Sequence, residues 1–313
     1  MTDTAGATGS GTDSGIDSAA RRAAEREFTV RERTQLQLTV RRFLRHRLAV
    51  ASMVVLVLVV VFAFAGPLLW HYNYTQFTPD NSVAPSLKHP FGTTEDGKDE
   101  LALVMRGTQQ SVKVAVLTAI GAAAIGAVWG AIAGFYRGLV DTLLMRFADL
   151  VLTLPLFAVA AVLAGNTRGS WWLIAIVIAG LQWAIVSRIV RGVVLSLREK
   201  EFIEAARALG ASDTRIIFRH LVPNAIGAVI VNATILVATA ILYETALSFL
   251  GFGIRAPDTS LGLLVNNART AVDTRPWLFY FPGLFIIMIA LAINFIGDGL
   301  RDALDPRQQR VRQ

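Results

Sequence analysis

No cysteine occurs among the 313 residues, which excludes disulfide frameworks, thiolate metal sites, iron–sulfur ligation and thiol catalysis together. Histidine is scarce, and the four present, at positions 46, 71, 89 and 220, are too scattered for a paired-histidine zinc helix. A zinc or thiolate metal site is therefore not expected, and no catalytic residue or cofactor is assigned to the chain. Charge is thin as well. Only 17% of the residues are charged while 54% are hydrophobic, and the mean hydropathy is +0.51; a soluble domain normally carries about a quarter charged residues. The net charge of +7 comes from 30 basic and 23 acidic residues. In so apolar a chain the expected counter-charge is an anionic membrane surface, not nucleic acid.

Six stretches contain no side chain that charges near neutrality: Leu48–Trp70, Val114–Tyr136, Leu150–Thr167, Gly169–Ser187, Leu221–Tyr243 and Pro276–Gly297. Each holds 18 to 23 residues, enough at about 1.5 Å per residue to cross a hydrocarbon core of roughly 30 Å. Runs of Ala, Leu, Val and Ile suit helices, which satisfy their own backbone in lipid, and not the alternation of a barrel strand. The expected fold class is an all-α polytopic membrane protein with six transmembrane helices. Leu48–Trp70 is expected to be retained, because 47 residues precede it and its apolar run exceeds that of a cleaved signal peptide.

With the N-terminus inside, the inner segments total 109 residues and carry 22 Lys and Arg, against 8 in the 78 outer residues. Basic density is about twofold higher inside, as the positive-inside rule requires. Both termini are thus expected to be cytoplasmic. Three regions follow: 1–47, a cytoplasmic tail with a basic segment; 48–307, the six-helix membrane domain; and 308–313, a short cytoplasmic tail. Residues 1–20 are mostly Gly, Ser, Thr, Ala and Asp, with little to bury, and read as disordered. Arg33–Arg47 has five arginines and no acid, interleaved with Leu36, Leu38, Val40, Phe43 and Leu44. It reads either as an amphipathic helix on the inner leaflet or as a topogenic charge cluster.

Gly92–Asp99 matches the spacing G-x-x-x-x-G-K of a phosphate-binding loop, but Asp99 stands where Ser or Thr should hold magnesium. Glu95 and Asp96 would repel the anion, and the topology puts the loop outside. ATP chemistry, if any, belongs to another chain.

The inner loop 188–220 is richer. Glu201–Leu209 is built of strong helix formers with Phe202, Ala206 and Leu209 on one face, and Glu204 and Arg207 stand at i, i+3. Gly210 is placed to end the helix with positive φ, Ser212 to cap a second short helix, and Pro223 to open the fifth span. The expected product is a cytoplasmic helix–turn–helix elbow, serving either as an interfacial linker or as a docking element.

The run Glu204-Ala205-Ala206, with Gly210 four residues on and Pro223 thirteen beyond it, resembles the EAA signature of binding-protein-dependent ABC importer permeases. His220 and Val222 depart from that pattern. His89-Pro-Phe-Gly-Thr with Gly97-Lys98-Asp99 and Arg106-Gly107 is similar to the external segment of dipeptide, oligopeptide and nickel permeases of the C type, apart from Thr94 and Lys98. Glu244 through Gly251 and Gly297 through Arg307 also look like that family. The resemblance implies a type I ABC importer permease fold in the bacterial inner membrane, with peptide as cargo. It implies as partners a homologous second permease subunit, two cytoplasmic ATPase domains and an extracytoplasmic substrate-binding protein, with Phe202, Glu204, Ala205, Ala206, Leu209 and Gly210 forming the ATPase-coupling helix. Nickel or haem remains an alternative cargo, a self-contained secondary carrier or channel an alternative mechanism, and a membrane anchor a third reading.

The spans lack the titratable groups of a proton relay. Their notable polar side chains are Gln182, Asn232 and Asn294, which serve either as interhelical hydrogen-bond partners or, for Asn232, as pathway lining. Gly126, Gly130 and Gly134 form a small-residue ridge expected to pack helices. Glu244 and Asp149 are read as interfacial or gate-rim residues. Phe249 joins Asn232 and Glu244 as a pathway or gate candidate, and Phe91 and Pro257 as contacts for a binding protein.

Overall fold

The computed structural model describes residues 35–304. The expected tails 1–20 and 308–313 lie outside the described residues. Within them, ten helices are joined by one long loop, 70–99, and several shorter connections. Helix α1 (Gln35–Arg45) places Arg41, Arg42 and Arg45 among apolar residues, so the basic segment is helical. Helix α2 (Arg47–Leu69) follows at once, its first turn capped by the His46 ring nitrogen, which accepts from the Ala49 N–H at 3.1 Å. α2 is apolar around its whole circumference and leaves Leu58, Val61 and Leu68 exposed, as a lipid-facing helix does.

The second helix of the membrane body is longer than its charge-free core. α3 runs Glu100–Tyr136, 37 residues, because Asp99 accepts from the Ala102 N–H and caps the helix well outside the apolar stretch. Arg106 and Lys113, expected in an outer segment, thus lie on the helix.

The third expected span is corrected in shape. Leu150–Thr167 is not a straight helix: α4 (Gly138–Thr153) and α5 (Leu156–Gly165) meet at an 80° bend. Pro155 is the cause, since the residue before proline is forced out of the helical region, and Leu154 sits at φ −66°, ψ 138°. Five helices are individually long and apolar enough to cross a membrane, and the bent pair taken as one broken span makes six.

Helix α6 (Trp171–Leu197) leads to the short helix α7 (Glu201–Ala208). α8 then runs from Asp213 to Phe249 with Ile216–Leu221 wound as a π turn. Pro223 stands in the first turn of the α-helical stretch Val222–Phe249, as expected. The π turn runs into that stretch without a break, and the Val222 N–H reaches back to the Ile217 carbonyl. α9 (Leu261–Ala268) and α10 (Trp277–Leu304) complete the chain. Among the described residues the one extended pairing is the isolated bridge between Thr93 and Asp99.

Helices α3 and α6 form the centre. They lie side by side and parallel: Gly126 meets the Trp183 carbonyl and Val186, Gly130 the Ser187 carbonyl, and Gly134 the Arg191 carbonyl and Val194. A Cβ built on Gly130 would stand 2.2 Å from the Ser187 carbonyl oxygen, so only glycine permits this approach. The ridge is therefore a packing device, as expected for helices that associate without a hydrophobic drive. Around it α8 closes a core of Ala127, Val186, Val190, Ile216 and Leu221. α2, α8, α9 and α10 build a second core about Val104, Ile241, Phe285 and Ile289. α5 packs its alanines on Ile174 and Ile178 of α6.

Gly130→Val is expected to force α3 and α6 apart at a cost on the order of 1–3 kcal/mol or more, lowering the melting temperature of the detergent-solubilised chain. Gly192→Ala, on α6 but with no atom within 4 Å of the added carbon, should leave it unchanged.

Candidate functional site

The elbow expected on the cytoplasmic side is built where α6 ends. Arg198 donates to the Phe135 carbonyl at 2.6 Å, tying the end of α6 to the end of α3. Arg137 and Glu199 pair across the same gap at 2.6 Å. The buried Phe135 ring lies beneath two guanidinium groups, Arg198 at 5.9 Å and Arg207 at 5.4 Å. Arg207 is thereby used on Phe135; among the described residues it makes no ion pair with Glu204, the i, i+3 partner expected from spacing.

Helix α7 begins after Lys200, with Glu201 and Glu204 in the first turn and Arg207 in the last, the arrangement that suits the helix dipole. Ile203 is fully buried, and Ala206 is 9% exposed. Phe202 is 41% and Leu209 88% exposed, and Glu204 and Ala205 are exposed too. The expected common face of Phe202, Ala206 and Leu209 is thus divided. Ala206 lies toward Ile203 and turns inward, while Phe202, Ala205 and Leu209 form the free ridge. Both arcs are apolar, so helical spacing alone could not say which one the body would take.

The helix ends as expected. Gly210 has φ +77°, its N–H reaches the Arg207 carbonyl at 2.9 Å, and the Ala211 N–H reaches the Ala206 carbonyl at 3.0 Å. These two bonds make a Schellman motif, which satisfies the last carbonyls of α7 and fixes the direction of the chain. Nothing lies within 4 Å of a Cβ added at Gly210, so its requirement is backbone conformation and not space. Ser212 caps the next helix, accepting from the Arg215 N–H at 3.4 Å.

Two ion pairs brace the surface beside the elbow. Arg191 donates through Nε and Nη2 to both carboxylate oxygens of Asp141 at 2.5 and 2.6 Å, and Arg188 donates to Asp149 at 2.5 Å. Asp149 therefore fastens α4 to α6.

At the opposite end of the helices, the long loop 70–99 is held by buried polar groups. His89 is 1% exposed. Its Nδ1 lies 2.8 Å from Asp99 and its Nε2 3.2 Å from Asp80, with the Tyr72 ring stacked at 4.8 Å. Asp99 also accepts from the Trp70 indole at 3.0 Å. The segment that resembles a phosphate loop is closed: the N–H groups of Thr93, Thr94, Gly97 and Glu100 bond to the carbonyls of Val83, Lys98, Thr94 and Gly92. The Lys98 N–H is also taken, by the Thr94 hydroxyl at 3.0 Å.

Phe91, a candidate for outer contact, is half-buried and stacks on Phe281 at 3.9 Å beside Phe62 and Phe285. Pro257 is exposed and lines a cavity of about 280 Å³ with Tyr74, Asp96, Lys98 and Arg275. Arg106 pins the neighbouring turn, donating to both oxygens of Asp258 at 2.8 and 3.0 Å.

Glu244 is fully buried and is no rim residue. Its two oxygens accept from Ser111 and Ser248, each at 2.7 Å, and those hydroxyls in turn accept from the N–H groups of Leu261 and Ile254. It joins α3, α8 and the loop before α9. Phe249 is half-buried at the end of α8. Asn232 spends an amide hydrogen on the Ala228 carbonyl at 2.8 Å and lines a cavity of about 150 Å³ between α6 and α8. The partners Phe135, Arg198 and Ser111 have no local signal in the sequence, because each acts across more than 60 residues.

Residues 126–310 match the family described as binding-protein-dependent transport system inner membrane component, and residues 34–90 match the N-terminal TM domain of oligopeptide transport permease C. The chain is 44% identical over 279 residues to the oligopeptide transport system permease protein OppC of Mycobacterium tuberculosis, covering 88% of this chain and 96% of that one. It is 38% identical over 274 residues to the protein of that name in Haemophilus influenzae, covering 86% and 88%. It is also 38% identical over 270 residues to the dipeptide transport system permease protein DppC of Alkalihalophilus pseudofirmus, covering 85% and 88%.

Hydrogen bonds from Lys88 and from His89 hold the Asp80 carboxyl below its ordinary value of 3.8, and the same bond to Asp80 raises Lys88. A depressed carboxyl contributes stability that is present above the unfolded value and is lost as pH falls through the folded one. Hydrogen exchange over residues 71–99 should accordingly stay slow from neutrality down to the ordinary carboxylate range and rise only below it. Asp80→Asn should exchange faster at neutral pH and lose that acid step; identical profiles would remove Asp80 from the loop's anchoring.

Proposed function

Because the chain belongs to the binding-protein-dependent transport system inner membrane components, a family of multi-pass permease subunits, we propose that it forms half of the translocation pathway of an ATP-driven peptide importer. The second half is a homologous permease chain, the energy comes from two cytoplasmic ATPase domains, and cargo arrives on an extracytoplasmic binding protein. The protein sits in the bacterial inner membrane with both termini in the cytoplasm. Peptide is favoured as cargo over nickel or haem because the similar chains carry oligopeptide and dipeptide transport names.

The elbow carries this reading. An eight-residue helix holds Ile203 and Ala206 in the body, ends on a Schellman turn, and leaves Phe202, Ala205 and Leu209 uncovered. Exposed Leu209 and Phe202 on a rigid, two-point mount suit the groove of a partner, and Glu204 lies beside them. Force on the ridge is transmitted through Gly210 to α8 and through Arg198 and Phe135 to α6 and α3. On the outer face Pro257 and the cavity it lines are the surface proposed for the binding protein. Phe91 is used in packing and supports that surface from beneath. Phe249 and Glu244 hold the outer end of α8 as a gate element.

In the assembled transporter, Leu209→Asp is expected to weaken retention of the ATPase by about 2 kcal/mol, roughly thirtyfold in affinity. Gly210→Val adds strain on the order of 1–3 kcal/mol and should uncouple hydrolysis from import, whereas Gly210→Asn, which tolerates positive φ, should do so less. Co-purification of the ATPase and peptide uptake read both effects, and normal values for Leu209→Asp and Gly210→Val together would refute the docking role. Ala206→Asp is no test of docking, since its side chain would point into the body.

The natural absence of cysteine makes orientation directly measurable. Leu87→Cys, fully exposed in the outer loop, should react with an impermeant thiol reagent in intact cells, and Ser212→Cys should react only after the membrane is opened. The reverse pattern would invert the topology.

A further inference from the structure

The cavity between α6 and α8 has an unusual lining for the middle of a membrane protein. Gln182, Asn232, Thr239 and Tyr243 face it together with Leu156 of the bent pair and Ile185. None of these carries a charge at neutral pH. Gln182 is 2% exposed; its Oε1 lies 3.3 Å from the Thr239 hydroxyl, whose single proton is shared with the Leu236 carbonyl at 3.1 Å and the Ile235 carbonyl at 3.3 Å, and its Nε2 has no hydrogen-bond partner. A buried amide donor left unpaired costs about 1–3 kcal/mol, so an N–H kept free beside a cavity is a site waiting for an acceptor. Asn232 and Asn294 spend an amide hydrogen on the carbonyl four residues back in their own helices, whereas the Gln182 amide faces Thr239 of the neighbouring helix with its oxygen and has no partner for its nitrogen.

We propose that this cavity is a contact point for the peptide backbone of the cargo, with Gln182 Nε2 donating to a peptide carbonyl and Asn232 and Thr239 offering further polar contacts along the same strand. The inference rests on the reading of the protein as a peptide permease. The spacing fits: Asn232 and Thr239 are seven residues apart on α8, about 10 Å at 1.5 Å per residue, which spans roughly three residues of an extended chain at 3.3 Å each. The chemistry fits as well. A pathway for peptides of varied sequence must read what they share, the backbone amide. A fixed charge in the wall would favour one charge class and hold it, and the charge-free runs of α6 and α8 supply none. A lipid tail would leave the Nε2 proton unpaired, and so does not explain it.

The test uses the complete transporter in proteoliposomes with neutral, acidic and basic tripeptides. Gln182→Leu should lower uptake of all three by roughly tenfold, the equivalent of about 1.4 kcal/mol. Gln182→Glu should introduce a charge preference absent from the natural chain, sparing basic tripeptides and depressing acidic ones. Because a packing defect could also lower uptake, Asn232→Cys supplies a second measurement: its thiol labelling should slow when tripeptide is transported and not when free amino acids are supplied. Uptake of all three tripeptides at the natural rate by both Gln182 variants, or labelling of Asn232→Cys indifferent to peptide, would overturn the inference while leaving the permease reading intact. The same holds for a crosslink from Asn232→Cys to the second permease chain alone. If the unmutated transporter takes up none of the tripeptides, the peptide reading itself falls.

Discussion

The backbone contact between α3 and α6 is the constraint from which the working parts take their positions. Three glycines at four-residue intervals let two long helices lie against each other with carbonyl oxygens where side chains would normally stand. In lipid, where apolar surface gains nothing by leaving one apolar medium for another, such close packing is a main source of association. With the two helices in register, Phe135 comes to rest under Arg198 and Arg207, and Asp141 and Asp149 come within reach of Arg191 and Arg188. The elbow is then not a free loop but an extension of the central pair. The cavity lined by Gln182 and Asn232 is fixed by the same pair, since α8 packs on α6 beside the glycine ridge.

Polar groups are placed at the two ends according to what each end must do. At the end that carries the 70–99 loop, two carboxylates are buried and shared: Asp99 serves a helix cap, an indole and a histidine at once, and Glu244 serves two serines that each bind a backbone N–H. These contacts stiffen the turns around α3 and α8 at that end. At the end that carries α7, the ion pairs are at or near the surface, where screening keeps each one weak. They brace α4 against α6. Among the described residues, the one polar side chain that is both buried and incompletely paired near the middle of a span is Gln182, and it stands at the cavity wall.

Much of this architecture is legible in the amino-acid sequence. Runs of 18 to 23 uncharged residues point to membrane helices, because an unpaired charge or an open backbone in hydrocarbon costs too much. Gly210 can be placed at a helix end, and Ser212 at a helix start, because those requirements are local to a few residues. The glycine ridge is recognisable by its spacing. The departures are equally specific. Leu150–Thr167 passes the test of length and charge, yet Pro155 breaks it, and α4 begins at Gly138 in a segment with charges of its own. Pro223 opens the α-helical stretch Val222–Phe249 as its position suggests, but the π turn Ile216–Leu221 that joins this stretch to the short helix before it has no local signal. Glu244 has the look of a rim residue because a lone acid at the end of an apolar run usually reaches water, and here Ser111 and Ser248 replace the water.

The sequence alone determined the membrane class, the number of apolar segments and the local shape of the elbow, since each depends on residues within a turn or two of one another and on the solvent. Only the tertiary structure decided which arc of α7 is buried, that Phe91 packs while Pro257 is free, and that Gln182 keeps an unpaired donor beside Asn232. Those outcomes depend on which groups from other helices arrive to claim a side chain's contacts and hydrogen bonds, and no periodicity within one helix records that.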